Sequence, residues 1–100
     1  MNSKPLHHSD YALFTRLLKQ IRLEAGVTQI ELAQRLGIEQ SLISKAESQV
    51  RRLDVAELYN ICLALNVPFT EFAARYERIL TTNKALQNAP HRRRRRSDAS

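Results

Sequence analysis

Apolar side chains recur at intervals of three and four residues along most of this chain, which is the spacing of one face of an α-helix. The first such stretch runs from Ser9 or Asp10 to Ala25, and Gly26 follows it directly. Because glycine readily adopts the left-handed conformation that closes many helices, the pattern predicts a first helix that stops at Gly26.

The next two predicted helices are short, and a glycine separates them. Thr28 and Glu31 have the spacing of a capping box, in which each side chain accepts a hydrogen bond from the other residue's amide. This predicts a second helix that begins at Thr28 and ends at Gly37. A third helix is predicted from residue 39 or 40 to residue 47, and most of its surface is polar.

The rest of the apolar pattern predicts two further helices. Asp54 and Glu57 repeat the capping box at the start of the fourth, and Asn66 suits a left-handed residue at its end. Pro68 suits the first turn of the fifth helix, whose pattern thins out in the eighties. Pro90 lacks an amide donor, so we expect any helix to have ended before it.

No alternation typical of a β-strand appears, so the chain is predicted to be all-α, with five helices in a compact domain. The fifth helix is expected to extend beyond that domain. The predicted segments are a flexible leader over residues 1–8, the domain over residues 9–72, a helical extension over residues 73–88 and a disordered arginine-rich tail over residues 89–100.

The positive charge of the chain is concentrated at one end. The formal net charge is +6 over 100 residues. Residues 90–100 carry five arginines and one aspartate, hence +4, which leaves +2 for the other 89 residues. A nearly balanced globular part is not a nucleic-acid binder by net charge alone, so that function must depend on where its few basic groups point.

Several classes of function find no support in the sequence. Cys62 is the sole cysteine and has no neighbours at metal-ligand spacing, so neither a disulfide nor a metal is expected. No apolar run is long enough for a membrane span or a secretory signal, which favours a cytoplasmic protein. No catalytic constellation is apparent, so we expect no enzyme, no cofactor and no small-molecule substrate.

The two glycines mark the geometry of a helix-turn-helix. Ala33 precedes Gly37 by four residues and Ile43 follows it by six, which fits two helices that cross closely at a small residue. The third helix would then project outward. From about Tyr11 to Phe72 the chain resembles the phage-repressor (lambda-repressor-like, Xre-type) helix-turn-helix family. The resemblance depends on Arg22, Thr28, Gln29, Glu31, Leu32, Ala33, Leu36, Gly37, Ile38, Ile43, Ser44, Glu47 and the LALNVPFTEF run.

This resemblance implies a sequence-specific regulator of transcription, such as a repressor, that binds double-stranded DNA. It also implies an ion pair between Arg22 and Glu47 that positions the third helix. The sequence departs from the family in the following loop, where Gln49 stands in place of a frequent glycine and Leu53 in place of a frequent proline. The loop therefore either keeps a left-handed Gln49 or follows another path.

The start of the third helix supplies side chains that can read bases. Glutamine pairs with adenine, lysine with guanine, and serine with donors or acceptors, so Gln40, Ser41 and Lys45 are predicted to read the major groove. The resemblance gives these positions the same role. The alternative is that they are solvated residues on an exposed helix. The resemblance also implies a phosphate contact at Gln29. Further phosphate-contact candidates are Ser44, Arg35, Arg51 and Arg52, and for the three arginines the alternative is that they are solvated surface charges.

A single short helix reads few base pairs, so a homodimer on a palindrome is expected. The apolar stripe of the fifth helix is the predicted contact, and its members are Phe72, Tyr76, Ile79 and Leu80. The alternative is that they fold back on their own core, and this alternative is stronger for Phe72. A different reading of the whole chain is a protein-interaction module on the same fold, such as an antitoxin that binds a toxin.

The arginine run would add affinity for any nucleic acid. Its members are Arg92, Arg93, Arg94, Arg95 and Arg96. Guanidinium groups attached to a groove-reading domain would contact phosphates without specifying a sequence. RNA binding and a merely solubilising tail remain open for this segment.

Overall fold

The computed structural model describes the backbone of residues 4–95 and the side chains of residues 10–87. Within that range it contains five α-helices and no strand, which confirms the all-α prediction. The helices are α1 (Lys4–Glu24), α2 (Gln29–Leu36), α3 (Gln40–Glu47), α4 (Val55–Leu65) and α5 (Phe69–Arg95).

Four of these helices end through one shared backbone geometry. A left-handed residue follows each of α1 to α4, and these residues are Gly26, Gly37, Gln49 and Asn66, with φ of 73°, 71°, 71° and 61°. The amides of each such residue and its successor turn back to the last carbonyls of the helix, as in the 3.0 Å bond from Ile38 to Ala33. These paired bonds satisfy carbonyls that have no partner within the helix.

The two predicted capping boxes are both present. The Glu31 amide donates to Thr28 Oγ1 over 3.0 Å, and the Thr28 amide donates to Glu31 Oε1 over 2.9 Å. Asp54 and Glu57 exchange the equivalent bonds over 2.8 and 2.9 Å at the start of α4. Both helices therefore begin where the sequence predicts.

All five helices contribute side chains to one hydrophobic core. Phe72 on α5 is 1% exposed and meets Phe14 on α1 edge to face, with ring centroids 5.7 Å apart. The other buried apolar residues are Leu17, Leu18, Ile21, Val27, Leu32, Ala33, Ile43, Ala46, Ile61, Cys62 and Leu65. This core fixes the orientation of α2 and α3.

The two end helices are longer than predicted. α1 begins at Lys4, inside the segment that was expected to be a flexible leader, because Pro5 lies in the first turn, where no amide donor is needed. α5 continues past Pro90 to Arg95, although a proline there removes one backbone bond. Arginine and alanine favour the helix on both sides of Pro90. Residues 1–3 and 96–100, including Arg96, lie outside the described residues.

The predicted dimer stripe of α5 faces its own chain over much of its length. Phe72 is buried in the core, which confirms the alternative that this residue packs on its own chain. Tyr76 packs edge to face on Phe14 and its hydroxyl donates to the Asp10 carbonyl over 2.8 Å. Ile79 packs against the same core, while Leu80 is half-buried. The sequence pattern could not show whether these residues face the core or the solvent, because the helix that α5 packs against, α1, lies far away along the sequence.

Candidate nucleic-acid interface

The turn between α2 and α3 presents one side of α3 to solvent. Ile43 and Ala46, 3% and 1% exposed, dock this helix onto the core. Gln40, Ser41 and Lys45 are exposed, and Ser44 between them is half-buried. The outer face of α3 is therefore polar, and all three predicted base-reading residues are accessible.

A buried ion pair holds the C-terminal end of α3 against α1. Arg22 Nε lies 2.6 Å from Glu47 Oε2, and Nη2 lies 2.9 Å from Oε1, so the pair is bidentate. Arg22 Nη1 also donates to the Val27 carbonyl over 2.8 Å. The side chains are 6% and 5% exposed. Burial and three hydrogen bonds leave the guanidinium little freedom. The pair therefore holds the C-terminal end of α3 in a fixed position against α1.

Two glutamines extend this pair to the surface. Gln29 Nε2 donates to Glu47 Oε1 over 3.0 Å, and Gln40 Nε2 donates to Gln29 Oε1 over 2.7 Å. We call this chain of Arg22, Glu47, Gln29 and Gln40 the glutamine network. Sequence reasoning missed the two glutamine bonds. The available signal was that Gln29 and Gln40 each open a helix, and the helix-turn-helix brings those two helix starts together.

The three arginines assigned to phosphates each have a partner within the chain. Arg35 Nη1 donates to the Ala64 carbonyl near the end of α4 over 2.8 Å. Arg52 lies over the Tyr11 ring, 4.2 Å from its centroid. Arg51 pairs with the Glu57 carboxylate. A phosphate would have to share or displace these partners.

The loop that carries Arg51 and Arg52 keeps the left-handed residue. Gln49 has φ of 71°, so the first of the two alternatives for this loop holds. The Leu53 amide donates to the Tyr11 hydroxyl over 3.1 Å, which ties the loop to α1. At the loop's end, the Asp54 amide and then Arg51 lower the pKa of Glu57, because both stabilise its carboxylate.

Two other kinds of site are absent from the residues that the structure describes. These residues contain no group of three or more histidine, cysteine, aspartate or glutamate residues that could hold a metal ion. None of their helices combines the length and the apolar composition needed to cross a bilayer.

Comparison with known proteins identifies the family. A profile of the helix-turn-helix family HTH_3 matches residues 18–72, which include α2, α3 and the whole glutamine network. The chain belongs to this family. It is also similar to the solved structure of an XRE-family like protein from Pseudomonas syringae pv. tomato str. DC3000, with 38% identity and a TM-score of 0.72. That match covers 77% of this chain and 94% of the other.

No curated protein is significantly similar to the chain. Family membership confirms the XRE-type resemblance and makes the protein a DNA-binding regulator. The matched range ends at Phe72, so the longer part of α5 lies beyond it.

Proposed function

We propose that this protein is a cytoplasmic repressor that reads a palindromic operator as a homodimer, with Gln40, Ser41 and Lys45 on the base edges. The observation that carries the proposal is the glutamine network, because it links a buried ion pair to the first residue of α3. An exposed glutamine without such partners would have no preferred orientation.

The network fixes which way each amide points. The ionised Glu47 carboxylate can only accept hydrogen bonds, so the Gln29 NH2 group must face it. The Gln29 carbonyl oxygen then faces Gln40 and accepts from its Nε2. Each amide orientation follows from the charge of Glu47.

Gln40 is left with one N–H donor and its carbonyl acceptor free of the network. Adenine presents an acceptor at N7 and a donor at N6 in the major groove, which is the matching pair. Guanine presents two acceptors there, and the fixed amide could satisfy only one of them. The network therefore favours adenine opposite Gln40, by about 1 to 3 kcal/mol for a good bidentate pair.

Lys45 and Ser41 complete the proposed reading surface. The Lys45 ammonium carries only donors, so it suits guanine O6 and N7, whereas the Ser41 hydroxyl accepts or donates. Both are exposed on the same outer side of α3 as Gln40. Phosphate contacts from Gln29 and Ser44 would set the position of α3 along the groove.

The basic side chains outside α3 are proposed to add affinity rather than sequence preference. Arg35, Arg51 and Arg52 would reach phosphates by sharing or exchanging the partners described above. The arginines at positions 92–96 would add a salt-dependent term that is the same for every sequence.

The test begins with selection from a random duplex library, followed by binding assays at several salt concentrations. We expect an enriched palindrome with adenine in each half-site. Gln40→Ala should abolish the preference for that adenine, while Gln34→Ala, an exposed glutamine of α2 outside the network, should leave it intact. Removal of residues 92–96 should weaken binding to all duplexes alike and flatten the salt dependence.

Equal affinity for the selected operator, a random duplex and RNA would refute the proposal. A protein-interaction module, such as an antitoxin, is the alternative function. It would be supported by a selection that enriches no sequence.

A further inference from the structure

The loop between α3 and α4 is anchored on both sides of Arg52. On one side, the Arg51 amide donates to the Lys45 carbonyl of α3 over 3.1 Å. On the other side, the Leu53 amide donates to the Tyr11 hydroxyl of α1 over 3.1 Å. The backbone of Arg52 is therefore held in position relative to both the proposed reading helix and α1.

The same tyrosine also holds the side chain of Arg52. The guanidinium carbon of Arg52 lies over the Tyr11 ring, 4.2 Å from its centroid. The face of an aromatic ring attracts a cation at this distance. The ring is itself held in place, because it packs against the core residue Phe14 with ring centroids 5.3 Å apart. Tyr11 therefore acts on Arg52 twice, through its hydroxyl on the backbone and through its ring on the side chain.

The contact with the ring leaves Arg52 able to bind an anion. A guanidinium has five N–H donors, and the face of an aromatic ring attracts its charge without supplying an acceptor for each donor. Arg52 is solvent-exposed, and in the part of the chain that the structure describes no carboxylate is paired with it. Its charge and most of its donors are therefore available to a phosphate.

The other two arginines assigned to phosphates have polar partners to give up. Arg51 is paired with the Glu57 carboxylate, which offsets its charge and repels a phosphate. Arg35 donates to the Ala64 carbonyl in the last turn of α4, where carbonyls have no partner within the helix. Arg52 differs from both, because a phosphate can bind it while the aromatic ring stays in place.

We propose that Arg52 is the principal phosphate contact among these three arginines and that Tyr11 positions it for that contact. The inference rests on the proposed function, since it names the residue that prepares one of the DNA contacts. A long side chain that is already held in place avoids an ordering cost on binding, which corresponds to about two- to tenfold in affinity. A phosphate contact carries no sequence information, so this gain should be the same for every duplex.

Substitutions at Tyr11 test the proposal through binding of the full chain to a random duplex and to the selected operator. Tyr11→Leu removes the ring and should weaken binding to both duplexes by about two- to tenfold. Tyr11→Phe should bind both nearly as tightly as the wild type, because phenylalanine presents a similar aromatic face to the cation. Tyr59→Leu is the matched control, since Tyr59 is 49% exposed on α4 and packs on Phe69, and it should leave binding unchanged.

A double-mutant cycle separates positioning from a loss of stability. Arg52→Ala should weaken binding to every duplex and reduce the slope of log affinity against log salt by about 0.9. In the Arg52→Ala background, Tyr11→Leu should cause no further loss of affinity, because no guanidinium remains to be positioned. Thermal melts of each variant set the assay temperature well below unfolding, so that the loss of folded protein does not enter the measured affinity.

Additive losses of affinity for Tyr11→Leu and Arg52→Ala would overturn the positioning role. Equal losses for Tyr11→Leu and Tyr11→Phe would also overturn it, because the ring would then contribute nothing beyond the hydroxyl. The proposed function is tested separately, by the preference of the wild type for the operator over the random duplex. Absence of that preference would count against the regulator, whereas the coupling between Tyr11 and Arg52 is measured on the random duplex alone.

Discussion

Removal of Glu47 should destabilise the domain far more than removal of an exposed glutamate. In Glu47→Ala, the Arg22 side chain, which is 6% exposed in the wild type, would lose both of its bonds to the carboxylate. Its bond to the Val27 carbonyl would remain. An uncompensated buried charge costs about 3 to 5 kcal/mol. Small domains have unfolding free energies of only about 5 to 15 kcal/mol, so a large part of the stability would be lost.

Glu24 provides a matched control within the same chain. Arg75 also binds its carboxylate through two nitrogens, at 2.9 and 3.1 Å, but these side chains are 24% and 49% exposed. Exposed ion pairs contribute about 0 to 1 kcal/mol, so Glu24→Ala should have a small effect. Urea unfolding followed by circular dichroism measures both variants. Equal losses for the two variants would refute the assignment of a buried, positioning ion pair.

The double variant Arg22→Met, Glu47→Leu separates stability from positioning. Replacement of a buried ion pair by apolar residues is often neutral or stabilising, so most of the unfolding free energy should return. Gln29 would nevertheless lose the carboxylate that orients its amide. The variant should therefore fold and bind DNA with a reduced preference for adenine. Full retention of that preference would show that the network does not control specificity.

Three further predictions concern the backbone and the pH response. Gln49→Gly should raise the unfolding free energy by about 0.5 to 1 kcal/mol, since Gln49 has φ of 71° and left-handed non-glycine residues are strained. Asn66→Gly should raise the unfolding free energy less, because asparagine tolerates the left-handed conformation. Gly37→Ala should cost about 1 kcal/mol from backbone strain alone, since no atom lies within 4 Å of the added Cβ; thermal melts measure all three variants. The pKa values of Glu31 and Glu57 are lowered chiefly by the hydrogen bonds that their carboxylates accept from backbone amides. The contribution of these two groups to the stability of the fold is therefore complete above the ordinary glutamate pKa of about 4.3. It is lost as the pH falls through the lower folded pKa values, which an NMR titration below about pH 5 should detect; folded-state pKa values equal to those of the unfolded chain would contradict this.

The local features of the fold follow directly from short stretches of sequence. A capping box spans four residues, and a helix end needs one residue that tolerates the left-handed region. The boxes at Thr28 and Asp54 and the stop at Gly37 are therefore found where the sequence predicts them. Gln49 is the exception, because its side chain gives no hint of a left-handed backbone. Only the family resemblance pointed to that conformation.

Long-range pairing decides which side of α5 faces its own chain. Lys84 binds the Asp10 carboxylate at 3.1 Å, and Tyr76 donates to the Asp10 carbonyl, across 74 and 66 positions of sequence. A helical pattern gives the apolar side of α5 but not the element that covers it. The same stripe therefore fitted both a dimer contact and an internal contact, and in the structure Phe72, Tyr76 and Ile79 pack on their own core.

The glutamine network shows why the chemistry of the site needs coordinates. A glutamine amide can donate or accept at either end, so Gln29 and Gln40 are ambiguous as letters in a sequence. The ambiguity is removed by Glu47, which lies 18 positions from Gln29 and can only accept. In the proposed complex, the charge that orients the Gln40 amide therefore lies on a buried residue, Glu47. Base preference at Gln40 should consequently respond to substitutions in the core as well as to those on the reading surface.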